Sequence, residues 1–503
     1  MKKAAVSVFS PFKLFQLLRS PAAGLALIFF LGGPQQLARA QEPADPKAWR
    51  PPAIAHAQKM RIFKDFGIDS QLAPGVVPKF GVDLDSSGLI ASFQPDGATF
   101  PSLNAFFKNF GTNGRTCFSC HQPQDGWGVS ATGAQIRFAL TRGLSPIFRL
   151  IDGATCPSDD VSSLEARREA FKLLTRKGLI RIGLPLPAGA EFALTAANVS
   201  DPYSCTIAAN SNPPAFDPVT GTDPTTGRPL LSMYRRPLPS TGVKFLTEIM
   251  WDGRETAFGL ANQATDATLI HAEANAGPNP DQLAQIVAFQ SGIFTAQFFD
   301  LSPKALTLTD LNATGGPKAL SQQPFLTSTP PTPVFDLYTP WENLTGTDAV
   351  TKARLSVARG EIVFNNPANR CGGCHNTQNV GDRSSGAPFV NLRIANAGGI
   401  NSPLPPVVDI TGLPVFTLTC NQGPLAGQTF VVTDPGRALI TGLCADIGAF
   451  KVPTLRGLAA RAPYFHNGSA ATLLDVVNFY NERFTLNLSP EQKDDLVNFL
   501  KAL

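Results

Sequence analysis

The sequence predicts a mainly α-helical protein of two similar halves, with long loops and small β or irregular insertions. Three observations predict it. The pattern Cys-x-x-Cys-His occurs twice, as Cys117-Phe118-Ser119-Cys120-His121 and as Cys371-Gly372-Gly373-Cys374-His375. Helix-start signals stand before apolar stripes near the C-terminal end. Finally, 43 glycines and 44 prolines imply a loop-rich chain, while 43% hydrophobic residues can still fill cores.

The repeated motif comes first because it fixes the chemistry. Cys-x-x-Cys-His is the attachment sequence of c-type haem: two thiols add across the vinyl groups and the adjacent histidine reaches the iron. A single copy would also suit a zinc or thiol-redox half-site. Two copies on an exported chain point to two covalently bound haem c groups, held by Cys117, Cys120 and His121 and by Cys371, Cys374 and His375.

Export is read from residues 1–40 as a signal peptide. Lys2 and Lys3 open a basic leader, an apolar run follows from Ala22 to Leu31, and Ala38-Arg39-Ala40 gives a small-x-small cleavage site. The run is too short to cross a bilayer, so a periplasmic mature chain without a membrane span is expected. The leader holds five basic residues and no acidic one, which leaves 37 basic against 38 acidic residues beyond it. That balance, with no basic run, gives no sign of a nucleic-acid partner.

The length beyond the leader exceeds one ordinary domain. We place an N-terminal haem domain at 41–345, with an insertion at about 156–230. A C-terminal haem domain follows at 346–503, with an insertion at about 395–445. The stretch 324–333, rich in Pro, Thr and Ser, marks the connection. Both insertions are rich in Pro, Gly, Thr and Asn and read as irregular or β-hairpin.

Near the end, Thr472-Leu473-Leu474-Asp475 is a capping box, and Leu473, Val477 and Tyr480 then share one helical face. Ser489-Pro490-Glu491-Gln492 opens a second helix with the stripe Leu496, Leu500 and Leu503. Such helices beside a haem make each half cytochrome c-like. Four cysteines remain after the motifs; sequence order pairs Cys156 with Cys205 and Cys420 with Cys444, with free buried thiols as the alternative.

The chain resembles the bacterial dihaem cytochrome c peroxidase superfamily, which includes MauG. The resemblance rests on the two haem motifs, Trp251-Asp252-Gly253-Arg254, the later Gln263-Ala264, and the block from Phe450-Lys451-Val452-Pro453-Thr454-Leu455-Arg456 to Ala462-Pro463-Tyr464-Phe465-His466-Asn467-Gly468. It covers most of residues 100–503 outside the insertions. It implies a reactive N-terminal haem and an electron-handling C-terminal haem, with Trp251 as the relay between them; ordinary core packing is the alternative.

The family's spacing also carries a distal glutamine and glutamate onto Gln263 and Glu273. An amide can orient peroxide by hydrogen bonding, and a carboxyl group can move a proton between its oxygens. A solvated helix face is the plainer reading of both. Here Ile270-His271-Ala272 replaces the family's Asn-Pro-Val, so His271 is a second acid–base candidate, a sixth iron ligand or a structural histidine.

The ligand inventory adds detail. The simplest members carry a histidine about sixteen residues beyond the first motif; here that position is Arg137, and no histidine lies between His121 and His271. The first iron is therefore expected to be five-coordinate. No methionine follows His375, and the family's methionine position, counted from His466, falls on Tyr480. The likeness to MauG makes Tyr480 the sixth ligand of the second iron, with His466 as the alternative. The family often binds calcium between its haem domains, which extends that expectation to carbonyls near Ala462-Pro463, with the family's asparagine ligand not located in this sequence.

The resemblance thus implies reduction of hydrogen peroxide, with electrons from a small soluble cytochrome c or cupredoxin. Two alternatives remain. One is a MauG-like oxidase acting on a protein or organic substrate; the other is a dihaem electron-transfer cytochrome without catalysis.

Overall fold

In the computed structural model, the C-terminal portion shows most directly how sequence becomes architecture. The structure describes residues 74–194, 199–203, 230–256, 259–301, 305–325, 332–383 and 388–503. All of these fall within one compact unit, Phe66–Leu503. The expected signal segment 1–40 and Cys205 lie outside the described residues.

Six longer helices position the sites. They are α1 (Ala131–Thr141), α2 (Leu260–His271), α3 (Pro280–Gly292), α4 (Ala349–Asn365), α5 (Leu473–Phe484) and α6 (Pro490–Lys501). Helices α5 and α6 begin where the capping signals placed them: Thr472 and Asp475 close one capping box, Ser489 and Gln492 the other. Helix α4 is capped by Asp348, whose carboxylate accepts from the Val350 and Thr351 amides.

Helices α4 and α6 pack closely because of Gly360. A Cβ there would lie 2.0 Å from the Asp495 carbonyl oxygen, so only glycine admits this approach. Phe335, Phe364 and Tyr338 then close around Phe499, with Trp341 packed on Tyr338. Truncating Phe499 to alanine would cost about 3–5 kcal/mol, the usual range for a buried phenylalanine.

The N-terminal portion is built around a second aromatic cluster of Phe106, Phe107, Phe118, Trp127 and Phe289. Beside it runs a four-stranded antiparallel sheet in the order Phe80–Leu84, Gly88–Phe93, Phe294–Asp300, Leu306–Thr307. The composition did not announce this sheet. Its long strand, Phe294–Asp300, is mostly buried on both faces, so it lacks the alternation that marks a half-exposed strand. The architecture is thus helical with several sheets.

The two insertions, expected one per half, meet. Strands Asn396–Gly398, Thr429–Val432 and Val415–Cys420 come from the second. The first supplies Phe192–Ala193 and Val199–Ser200, both paired to Val415–Cys420. Cys420 and Cys444 form the expected disulfide. Cys156 is also disulfide-bonded, and its expected partner Cys205 is outside the described residues. Among the described residues, no helix is long and apolar enough to cross a membrane.

Candidate functional site

At the first motif, Cys117–Ser119 form a single 3₁₀ turn, held by reciprocal bonds between Thr116 and Ser119. The chain then turns back through Gly126 and Trp127, both at positive φ. This brings the Trp127 carbonyl 2.8 Å from His121 Nδ1. A carbonyl can only accept, so Nδ1 is the protonated nitrogen and Nε2 keeps its lone pair. Burial holds the His121 pKa down to about 4, which favours the neutral, metal-binding form.

The second motif reaches the same result from different backbone. Cys371–Cys374 form one helical turn entered through Arg370 at positive φ. His375 Nδ1 donates to the Gly381 carbonyl at 2.5 Å, and burial again holds its pKa down to about 4. Gly381 is at positive φ, and a Cβ there would press on Phe335 and Leu455 at about 3 Å. Paired thiols beside an imidazole with a free Nε2, each on a cavity wall, fit a covalently held haem at both motifs.

The first cavity, about 190 Å³, is lined by Cys117, Cys120 and His121 on one side and by α2 on another. Gln263, Ala267 and His271 face it at i, i+4 and i+8. His271 Nδ1 sits 2.5 Å from Asp152 Oδ2. Asp152 is buried and paired with Arg115 at 2.6 Å, and Arg115 also donates to the His271 carbonyl. Burial alone would raise the Asp152 carboxyl, but Arg115 and His271 overcome it and hold it well below the usual carboxylate range.

Glu273 stands apart from this set. Its carboxylate does not line this cavity; it accepts from Asn113 Nδ2 at 2.8 Å. The cause is local. Helix α2 ends at His271, Glu273 takes a positive φ, and the 111–113 loop packs against the helix end. Gly111 permits that packing, since a Cβ there would lie 1.6 Å from the Ala272 carbonyl. His271, not Glu273, is the ionisable group that α2 gives to the cavity. Arg137 is buried away from it and donates to the Ser119 carbonyl at 2.6 Å.

The second cavity, about 780 Å³, contains Cys371, Cys374 and His375 on its wall. Its other sides are largely apolar, with Leu473, Val477 and Tyr480 from α5 and Leu496 and Leu500 from α6. The Tyr480 ring touches Phe465 and Phe479, and its hydroxyl has no hydrogen bond among the described residues. Burial pushes its pKa up. His466 also lines this cavity, stacked on Phe450 at 3.8 Å, with Nε2 lacking any partner among the described residues.

Trp251 lines both cavities. Its Nε1 donates to the Arg236 carbonyl at 2.8 Å, and its ring lies edge-on to His466. The turn Trp251-Asp252-Gly253-Arg254 is fixed by Asp252, which takes Arg235 and Arg254 as ion partners. Sequence reading missed Arg115, Asp152, Arg236 and Lys451. None lies in a haem motif: Arg115 stands two residues before the first one and Lys451 in the Phe450–Arg456 block, while Asp152 and Arg236 reach the cavities from other segments.

Comparison with known proteins agrees with the motifs. A family described as RoxA-like, cytochrome c-like matches residues 449–486. The chain is 32% identical over 171 residues to cytochrome-c peroxidase IdrP1 of Denitromonas iodatirespirans, covering 30% of this chain and 42% of that protein. It is 39% identical over 98 residues to cytochrome c551 peroxidase of Nitrosomonas europaea, covering 17% of this chain and 29% of that protein. The matches thus span less than half the length of these curated relatives. A solved MauG-like protein associated with microbial copper homeostasis is 20% identical, with a TM-score of 0.31 over 57% of this chain and 78% of that one. The sequence relatives bear out the resemblance to the cytochrome c peroxidases.

Proposed function

We propose that this chain is a periplasmic dihaem c-type peroxidase that reduces hydrogen peroxide at the first motif. Electrons enter from a small soluble cytochrome c or cupredoxin at the second. One observation carries the reading. The polar acid–base set, Gln263 and His271 with Asp152, is confined to the first cavity, while Trp251 lines both.

The haem, when bound, supplies the iron that takes the peroxide and the redox equivalents for O–O cleavage. The chain's residues handle position and protons. Asp152 holds His271 Nδ1, which leaves Nε2 for the cavity. Nε2 takes the proton from the inner peroxide oxygen and returns it to the outer one, which leaves as water. The Gln263 amide hydrogen-bonds the outer oxygen and fixes its direction. Reduction to two waters consumes two electrons and two protons per peroxide. Trp251 carries the electron path across the wall between the sites, and Tyr480 would hold the second iron as its sixth ligand.

Purified protein should carry two haem additions by mass spectrometry. It should also oxidise a reduced small cytochrome on adding peroxide. Ferric electron paramagnetic resonance should show one high-spin and one low-spin haem. A protein with two haems but no peroxide-dependent donor oxidation would defeat the proposal. A second reading, oxidation of a protein or organic substrate, is favoured by Tyr480 on the second cavity, because an anionic oxygen ligand stabilises oxidised iron. Peroxide-dependent modification of a protein substrate without donor oxidation would select it.

A further inference from the structure

Haem brings two propionate carboxylates as well as iron, and the motifs assign nothing to receive them. The wall between the cavities holds two cations that face both, Arg236 and Lys451. They are 8% and 4% exposed, and neither forms an ion pair among the described residues. Arg236 Nη2 donates to the Val129 carbonyl at 2.6 Å, and its Nε has no partner. Lys451 Nζ reaches only the Val452 carbonyl, at 3.0 Å.

The neighbouring Arg235 supplies the contrast. It is equally buried, yet Asp252 and Asp434 both pair with it. The fold therefore neutralises Arg235 within the chain, while Arg236 and Lys451, the two buried cations that line both cavities, have no ion pair among the described residues. Buried charges are retained where something pairs with them. Burial, with Arg461 nearby, pulls the Arg236 pKa down to about 10, and burial lowers that of Lys451 although Asp382 acts against it.

We propose that Arg236 and Lys451 form one carboxylate-binding seam that takes propionates from both haems. This rests on the reading of two haems. The seam is also built into the relay: the Arg236 carbonyl accepts from Trp251 Nε1, and the Lys451 amide donates to the Trp251 carbonyl, each at 2.8 Å. A cation shared by both haems favours their reduced states together, so its loss lowers both potentials.

The test is spectroelectrochemical titration of the holoprotein. Lys451→Met should lower the midpoint potentials of both haems, and Lys451→Arg should restore them. Arg236→Gln should repeat the paired shift. Arg383, which lines only the second cavity, is the control; Arg383→Met should move the second haem alone. A shift in one haem or neither on Lys451→Met, or a paired shift on Arg383→Met, would overturn the seam. If the variants do not fold, infrared difference spectra of the wild-type protein on reduction decide. Ionised propionate bands for both haems support the seam, and protonated carboxyl bands reject it. Failure of the two-haem reading would appear separately, as fewer than two haem additions in the wild-type mass.

Discussion

The two motifs share one proximal design and have opposite far walls. At each, the histidine Nδ1 donates to the carbonyl six residues on, Trp127 in one case and Gly381 in the other. Beyond that the sites diverge. The first faces α2 with an amide and a histidine backed by a buried carboxylate; the second faces α5 and α6 with leucines, a valine and a tyrosine. The motif thus specifies how haem is held, and side chains from distant elements specify what it can do. Peroxide chemistry needs a proton carrier at the oxygen pair, and the first wall offers an imidazole held by a buried carboxylate, whereas His466 on the second lies stacked on Phe450 with no carboxylate partner among the described residues.

The comparison breaks most completely at the thiols. Replacing Cys117 and Cys120 together with serine should leave one haem addition and abolish peroxide turnover. Replacing Cys371 and Cys374 should also leave one haem, yet the first site should still react once with peroxide in a stopped-flow mixing experiment. If the second pair of substitutions left steady turnover intact, the division of labour would fail.

The next largest effect tests which residue moves the proton. His271→Gln should lower peroxide turnover by about 10²-fold or more, the scale of a positioned acid–base group. Glu273→Gln should change it by no more than about twofold, since its carboxylate lies outside the cavity and such peripheral changes are small. The reverse order of effects would return the role to Glu273.

Trp251→Phe sharpens the link between the sites. Both haems should remain, and the first site's reaction with peroxide should keep its rate. Electron transfer from the second haem should slow, seen as delayed oxidation of that haem after mixing. Equal timing in variant and wild type would reduce Trp251 to a packing residue.

Much of this was legible in sequence, for physical reasons that differ by element. The capping boxes at Thr472 and Ser489 are local chemistry, so α5 and α6 started where they were expected. The haem motifs and Trp251-Asp252-Gly253-Arg254 are contiguous and equally readable. Asp152 was not, because its meaning depends on Arg115 and His271, 37 residues before it and 119 after it. Glu273 is a different case: the family's spacing from Gln263 named it, and in this chain the backbone leaves the helix at His271 and turns, which takes the carboxylate to Asn113. The shared sheet of the two insertions joins strands more than two hundred residues apart, a separation that no local pattern encodes.

Tyr480→Phe is the smallest change and addresses the second site alone. The phenylalanine ring can keep the contacts with Phe465 and Phe479, so the helix and its packing should survive. Only the hydroxyl is lost, and it makes no hydrogen bond among the described residues. If that oxygen ligates iron, its loss should raise the reduction potential of the second haem and alter its low-spin signal, because an anionic oxygen ligand stabilises the ferric state. The first haem's signal and its reaction with peroxide should be unchanged, since Tyr480 lines only the second cavity. His466 provides the competing outcome, as its Nε2 is buried, without a partner among the described residues, and faces the same cavity. An untouched low-spin signal in Tyr480→Phe, with loss of that signal in His466→Ala, would transfer the ligand role to His466 and remove the likeness to MauG at this iron.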